Sequence, residues 1–266
     1  MVGNFDEELI DRLPSTLKYI CHTGAGYDQI DVAACKARNI TVTYAPDPVT
    51  RATADLTLFL LLGALRQANA ALRNIRTGKF KENLSFGNDP QGKTLGILGM
   101  GRIGKEVKQR ALPFGLRIIY HSRKQLPASE VDGATYVSFE QLLSESDIIS
   151  IHVPLSKSTQ HLIGKEDISK MKTGVVIINT ARGAIIDEAA MAEALDKGRI
   201  AAVGLDVYEK EPHINKRLLD NERAFLTPHI GTHTVETLAQ MEELAMENAR
   251  RGVLGEELLT PVPEML

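Results

Sequence analysis

Short apolar runs alternate with longer amphipathic stretches along most of the chain, and the alternation is most regular after Lys93. Runs rich in β-branched residues predict strands at residues 94–98, 116–120, 147–152, 174–179, 202–207 and 224–226. The stretches between them have helical length, the rhythm of a doubly wound parallel α/β sheet. Two helix starts are marked. Ser138-Phe139-Glu140-Gln141 has the S-x-x-Q form of a capping box, and Asp187 is placed to N-cap a helix over residues 188–197 that stops at Gly198. Ahead of Lys93, residues 17–21 and 40–44 predict two more strands around a helical 30–36. From Val49 to about Arg76 the apolar residues recur at helical spacing, as in a helix buried on several sides that crosses between domains or packs in a dimer. Residues 77–91 read as loop.

Pro46-Asp47-Pro48 interrupts this pattern, because neither proline donates a backbone hydrogen bond and each restricts its predecessor. A domain boundary is therefore expected there. Residues 47–232 are expected to form a dinucleotide-binding domain, with a smaller second domain on the other side of the boundary. A chain of 266 residues, 43% hydrophobic, is ample for two such cores. A net charge of -3 without a basic stripe argues against nucleic acid as a partner. Membrane attachment is not expected either, since the apolar stretch 56–65 lies between Asp55 and Arg66 and is too short to span a bilayer. Residues 1–10 carry Asp6, Glu7 and Glu8 without the apolar region of a signal peptide, and Cys21 and Cys35 lack metal or redox spacing. Together these features suit a cytoplasmic protein with reduced cysteines.

Candidate chemistry lies at the strand ends, where ligands bind in doubly wound folds. After the strand at 94–98 comes Gly99-Met100-Gly101-Arg102-Ile103-Gly104, a G-x-G-x-x-G turn between strand and helix. Gly99 permits the tight turn, Gly101 lets a pyrophosphate approach the backbone, and Gly104 lets the helix pack closely, while the N–H groups of the helix start face the charge. An NAD-preferring site carries an acid about 20 residues further on. Here the next strand ends in His121-Ser122-Arg123-Lys124, so Ser122 and Arg123 favour a 2'-phosphate and the cofactor is expected to be NADP in preference to NAD. Pro154 shapes the adenosine side and Thr159 offers a hydroxyl. Arg182 follows Asn179-Thr180-Ala181, and its planar fork suits a carboxylate with an adjacent carbonyl. The next two strand ends supply Asp206, Glu209 and Glu211, then His229 and Gly231. A carboxylate beside His229 would hold its tautomer and favour the imidazolium, making it a general acid. His229 and His233 also read as H-x-x-x-H, but Pro228 and Gly231 argue against a helical metal pair, and no third ligand is evident, so no metal is expected.

These residues carry a likeness. The chain resembles the D-isomer-specific 2-hydroxyacid dehydrogenases, most closely their fungal glyoxylate/hydroxypyruvate reductases. The likeness rests on GAGYDQID, ATAD, GKTLGILGMGRIG, NTARGAIID, GLDVYEKEP and TPHIGTHT, in this order. It implies that Arg182 binds the substrate, His229 is the acid/base and Glu211, not Glu209, is its carboxylate partner. It also implies that Asp206 receives the nicotinamide carboxamide, and that Thr53, Thr180, Ala181 and Gly231 lie on the cofactor side. The Gly24-Ala25-Gly26 loop would hold the substrate carboxylate. The implied activity is reduction of a small 2-oxo acid, such as glyoxylate or hydroxypyruvate, by a homodimer. A departure accompanies the likeness: family members begin with several βα units ahead of the segment matched by residues 17–31, so the smaller α/β substrate domain that the resemblance implies, residues 1–46 with 233–266, is expected to be short, with a reduced sheet and an exposed edge. That keeps open a nucleotide-sensing corepressor or an inactive NADP-binding protein on the same fold.

Overall fold

A computed structural model describes residues 3–266. They fold as two compact units, residues up to Ala52 with Thr232–Leu266, and Thr53–Gly231. In the smaller unit β1 (Tyr19–Cys21) pairs in parallel with β2 (Thr41–Thr43) over a core of Ile10, Ile30, Cys35, Ile40, Val42 and Val262. One edge of this two-stranded sheet, at β2, is covered. Val262 N–H donates to Val42 O at 3.0 Å and Tyr44 N–H to Thr260 O at 3.0 Å, so the C-terminal segment takes up donors and acceptors that an open edge would leave unpaired. A helix the periodicity does not reveal, Glu7–Arg12, is capped by Asp6. The long helix Val235–Leu254 packs Gly252 against the Tyr19 ring.

The larger unit is the doubly wound sheet. Its strands are β3 (Thr94–Leu98), β4 (Arg117–His121), β5 (Ala134–Tyr136), β6 (Ile148–Ile151), β7 (Val175–Asn179), β8 (Ile200–Leu205) and β9 (Ala224–Leu226), all parallel, in the order β5-β4-β3-β6-β7-β8-β9. Six of the seven were expected. β5 has three residues on the sheet edge and buries none of them fully, so it carries no apolar signature. Strand residues alternate between two cores: Leu95, Ile97, Ile148, Val176 and Ile178 on one face, Leu98, Ile149, Ile151, Val175 and Ile177 on the other. This is why the runs read as continuously apolar rather than alternating. The capping box at Ser138 and the Asp187 cap are both present.

The helical stretch before the sheet is two helices, Pro48–Leu65 and Ala68–Arg76, parted by Gln67 in the left-handed conformation. Gln67 donates to Phe86 O at 3.0 Å, so the loop 86–88 packs where the helix breaks. Pro48 opens the first helix, a position where its missing N–H costs nothing. At 18 residues this helix is long and apolar enough to cross a bilayer by length and composition alone. Half of it is buried inside the protein, however, and a Cβ on Gly63 or Gly204 would come within 2.2 Å of the Phe225 ring or 2.9 Å of Leu60 O. It packs as a core helix against β8 and β9.

Candidate active site

The sheet register places His121, Leu98, Ile151, Asn179, Leu205 and Leu226 in one row across the carboxyl ends of six strands. The loops that follow therefore leave the sheet along one rim. The winding reverses between β3 and β6, and there a Cβ on Gly99 would lie 2.8 Å from the His152 carbonyl carbon. With φ at +99°, Gly99 suits no other residue. A Cβ on Gly104 would come 2.3 Å from Gly99 O, so the helix Arg102–Ala111 is pressed onto the turn. Gly101 caps that helix without a side chain, and a Cβ there would meet nothing within 4 Å. The space beside the first turn of this helix is thus open at Gly101, a fit for the pyrophosphate of a dinucleotide.

Ser122 builds this cradle as well as bordering it, since its Oγ accepts from Met100 N–H at 2.9 Å. Arg123 is exposed and forms no ion pair among the described residues. Across the switch point Thr159 Oγ1 donates to Pro154 O at 2.6 Å and accepts from Ser156 N–H at 2.8 Å. Its hydroxyl closes its own turn. Thr180 is likewise engaged. Thr57 gives its proton to Thr53 O at 2.7 Å, so the 2.9 Å contact between Thr57 and Thr180 is a bond that Thr180 donates.

Asn179, almost fully buried at the end of β7, sets the Arg182 loop: its Nδ2 donates to Arg182 O at 2.8 Å and its Oδ1 accepts from Ala181 N–H at 3.0 Å. Arg182 Nη1 donates to Ala181 O at 2.8 Å. A Cβ on Gly183 would sit 2.0 Å from the Tyr208 carbonyl carbon, so this loop lies flat on the backbone that leads to Glu211. Glu211 Oε1 accepts from Tyr208 N–H at 3.0 Å, and its Oε2 lies 2.8 Å from His229 Nδ1. Burial raises the Glu211 pKa, but hydrogen bonds from His229 and Tyr208 and the charges of His229 and Arg182 outweigh it and hold the carboxyl below its usual range. Arg182, Glu211 and His229 thus form one electrostatic cluster. An ionised carboxylate only accepts, so Nδ1 carries a proton and Nε2 is left to exchange one.

The turn that bears His229 is fastened on both flanks. Asp206 Oδ1 accepts from Thr227 Oγ1 at 2.6 Å and Ile230 N–H at 2.8 Å, and its Oδ2 accepts from Gly231 N–H at 2.8 Å. His229 itself holds φ of +54°, a conformation that a histidine keeps only when its surroundings impose it. Tyr208 adds a bond from its hydroxyl to Thr227 O at 2.8 Å. Glu209 belongs elsewhere: its carboxylate meets His161 Nε2 at 3.2 Å and its N–H donates to Glu188 at 3.0 Å. Asn179, Tyr208 and Glu188 carry no pattern in the sequence beyond a polar residue among apolar ones.

In the smaller unit, the Gly24–Gly26 loop turns two carbonyls inward, Gly24 O to Ala45 N–H at 2.9 Å and Gly26 O to the His22 ring at 3.0 Å.

A nucleotide cradle, a buried clamp and an acid–base pair on one rim of a Rossmann-type sheet define an NAD(P)-dependent dehydrogenase. Residues 58–231 match the D-isomer specific 2-hydroxyacid dehydrogenase, NAD binding domain, and the chain belongs to that family. It is 54% identical to a glyoxylate reductase from Paecilomyes thermophila of known crystal structure, with a TM-score of 0.96 over 99% of this chain and 80% of that one. A 4-methyl-2-oxopentanoate reductase from Aspergillus oryzae is 50% identical over 98% of this chain and 80% of its own length. The NADPH-dependent glyoxylate/hydroxypyruvate reductase of Sinorhizobium meliloti, solved with NADP and malonate, is 33% identical with a TM-score of 0.92 over 98% of this chain and 82% of that one.

Proposed function

We propose that this chain reduces a small 2-oxo acid, glyoxylate or hydroxypyruvate, to the D-2-hydroxy acid, with NADPH preferred over NADH. The observation that carries the reading is the 2.8 Å contact between Glu211 and His229 beside Arg182. Reduced nicotinamide, when bound, supplies the hydride that reaches the carbonyl carbon. Arg182 binds the substrate carboxylate and draws charge toward the carbonyl oxygen. His229 gives that oxygen a proton from Nε2, and Glu211 holds the tautomer and stabilises the imidazolium before transfer. The backbone of Ala25 and Gly26 is a second anchor for the carboxylate. Asp206 Oδ2, which accepts only from Gly231, keeps a lone pair for the nicotinamide carboxamide. Thr53 lies close by, its Oγ1 3.5 Å from where a Cβ on Gly231 would stand.

The preference for NADPH rests on the unpaired Arg123 and on the lack of an acid at the end of β4. The same reading includes a homodimer. Phe59, Ile75 and Phe80 stand 52%, 56% and 66% exposed, apolar side chains that a second copy would cover, and sedimentation velocity tests it. The activity is tested by following NADPH absorbance with purified protein and glyoxylate or hydroxypyruvate. Saturable turnover that Arg182→Ala abolishes supports the reading. Nucleotide binding without turnover contradicts it and favours a nucleotide-sensing binding protein.

A further inference from the structure

His22 follows the last residue of β1 and is anchored there by its own N–H, which donates to Thr43 O at 2.9 Å. The next residues coil around its ring. Nε2 lies 3.0 Å from Gly26 O, and a Cβ on Gly24 would come 2.8 Å from the same nitrogen, so the loop lies close against the imidazole. A carbonyl only accepts, so in this contact Nε2 carries the proton, and the Gln29 amide nitrogen, 3.4 Å from the same atom, then donates nothing to it.

In a trans peptide the carbonyl and the following N–H point in opposite directions. Tying Gly24 O to Ala45 therefore turns the Ala25 N–H the other way, and tying Gly26 O to His22 does the same for the Tyr27 N–H. The Gly26 N–H lies between them in the chain. None of these three N–H groups meets an acceptor among the described residues. Successive free amides of this kind make an anion nest. We propose that His22 is a positioning residue that fixes this backbone nest for the carboxylate of the 2-oxo acid. The inference rests on the reduction proposed above and adds the side chain that shapes its substrate loop.

The test compares His22→Phe, which keeps a ring and removes the donor, with His22→Gln, which returns an N–H at similar reach. His22→Phe is expected to raise the glyoxylate KM about tenfold, the scale of one unsatisfied carbonyl, with kcat within about threefold of the parent. The inhibition constant of oxamate, a non-reducible carboxylate, should rise in parallel, while NADPH affinity stays unchanged. His22→Gln should recover most of the loss. Unchanged KM and oxamate inhibition in a folded His22→Phe would overturn the proposal while leaving the reductase reading intact. Parent protein that turns over no oxo acid would overturn that reading, and this one with it. Should His22→Phe not fold, His22→Asn, whose amide is too short, takes its place against His22→Gln. A KM raised only in His22→Asn supports the proposal, and equal values overturn it.

Discussion

Glu211 Oε2 lies 2.8 Å from His229 Nδ1, and the opposite oxygen of the same carboxylate accepts from Tyr208 N–H. Both oxygens are thus committed, one to the backbone and one to the imidazole. In Glu211→Gln an amide oxygen can still meet the Nδ1 proton, but the charge that favours the imidazolium is gone. We expect kcat/KM for oxo-acid reduction to fall by roughly ten- to a hundredfold. Steady-state kinetics of the two proteins with glyoxylate check the loss.

Three glycines separate fold from binding. A Cβ at Gly104 or Gly183 would lie 2.3 Å or 2.0 Å from backbone atoms that cannot move aside, whereas one at Gly101 would meet nothing within 4 Å. Gly104→Ala and Gly183→Ala should each lower stability by about 1–3 kcal/mol, the scale of overpacking. Gly101→Ala should melt like the parent yet bind NADPH more weakly, because its methyl fills the space where a pyrophosphate approaches. Thermal melts and nucleotide titrations of the three variants make the comparison.

The sheet was legible because its strands are buried on both faces and so read as apolar runs, and the cradle because a turn, a close approach and a helix start each demand glycine. Arg182, Glu211 and His229 stand directly after such runs, which is where a doubly wound fold presents its chemistry. The supports were not legible. Asp206 clamps a turn more than twenty residues away, and Asn179 shapes the loop of Arg182, through contacts that exist only once β7, β8 and β9 lie side by side. The turn that Thr159 closes was not legible either, because a hydroxyl in a loop gives no sign of whether its proton is already taken. β5 and the helix Glu7–Arg12 are too short to impose a period.

Arg123 is the residue through which the cofactor preference can be changed. Removing a guanidinium that pairs with a 2'-phosphate should cost NADPH about tenfold or more in Kd and leave NADH almost untouched. Titrating both nucleotides into Arg123→Ala measures the ratio. An unaltered ratio would leave the preference without its residue.

Acid stability has a separate origin at the opposite end of the sheet. Asp147 accepts from Thr94 N–H and from Lys172 Nζ, each at 2.8 Å. Burial opposes ionisation there, but those bonds and the charges of Lys172 and Lys93 bring its pKa below the ordinary 3.8. A carboxyl depressed on folding contributes stability that is present above its unfolded pKa and is lost as pH falls through the folded one. Asp147→Asn should therefore melt below the parent near neutral pH, with the gap closing as the pH drops below about 4. Melting curves across that range, followed by circular dichroism, test the sign.

In the proposed reaction His229 delivers the proton while the cradle independently holds the nucleotide. Pre-steady-state and steady-state turnover of His229→Ala with glyoxylate, measured beside NADPH affinity on the same preparation, tests it most directly. Loss of one positioned acid predicts a fall in kcat of about 10²- to 10⁴-fold with NADPH Kd within about twofold of the parent. Turnover that survives the substitution unimpaired would contradict the account.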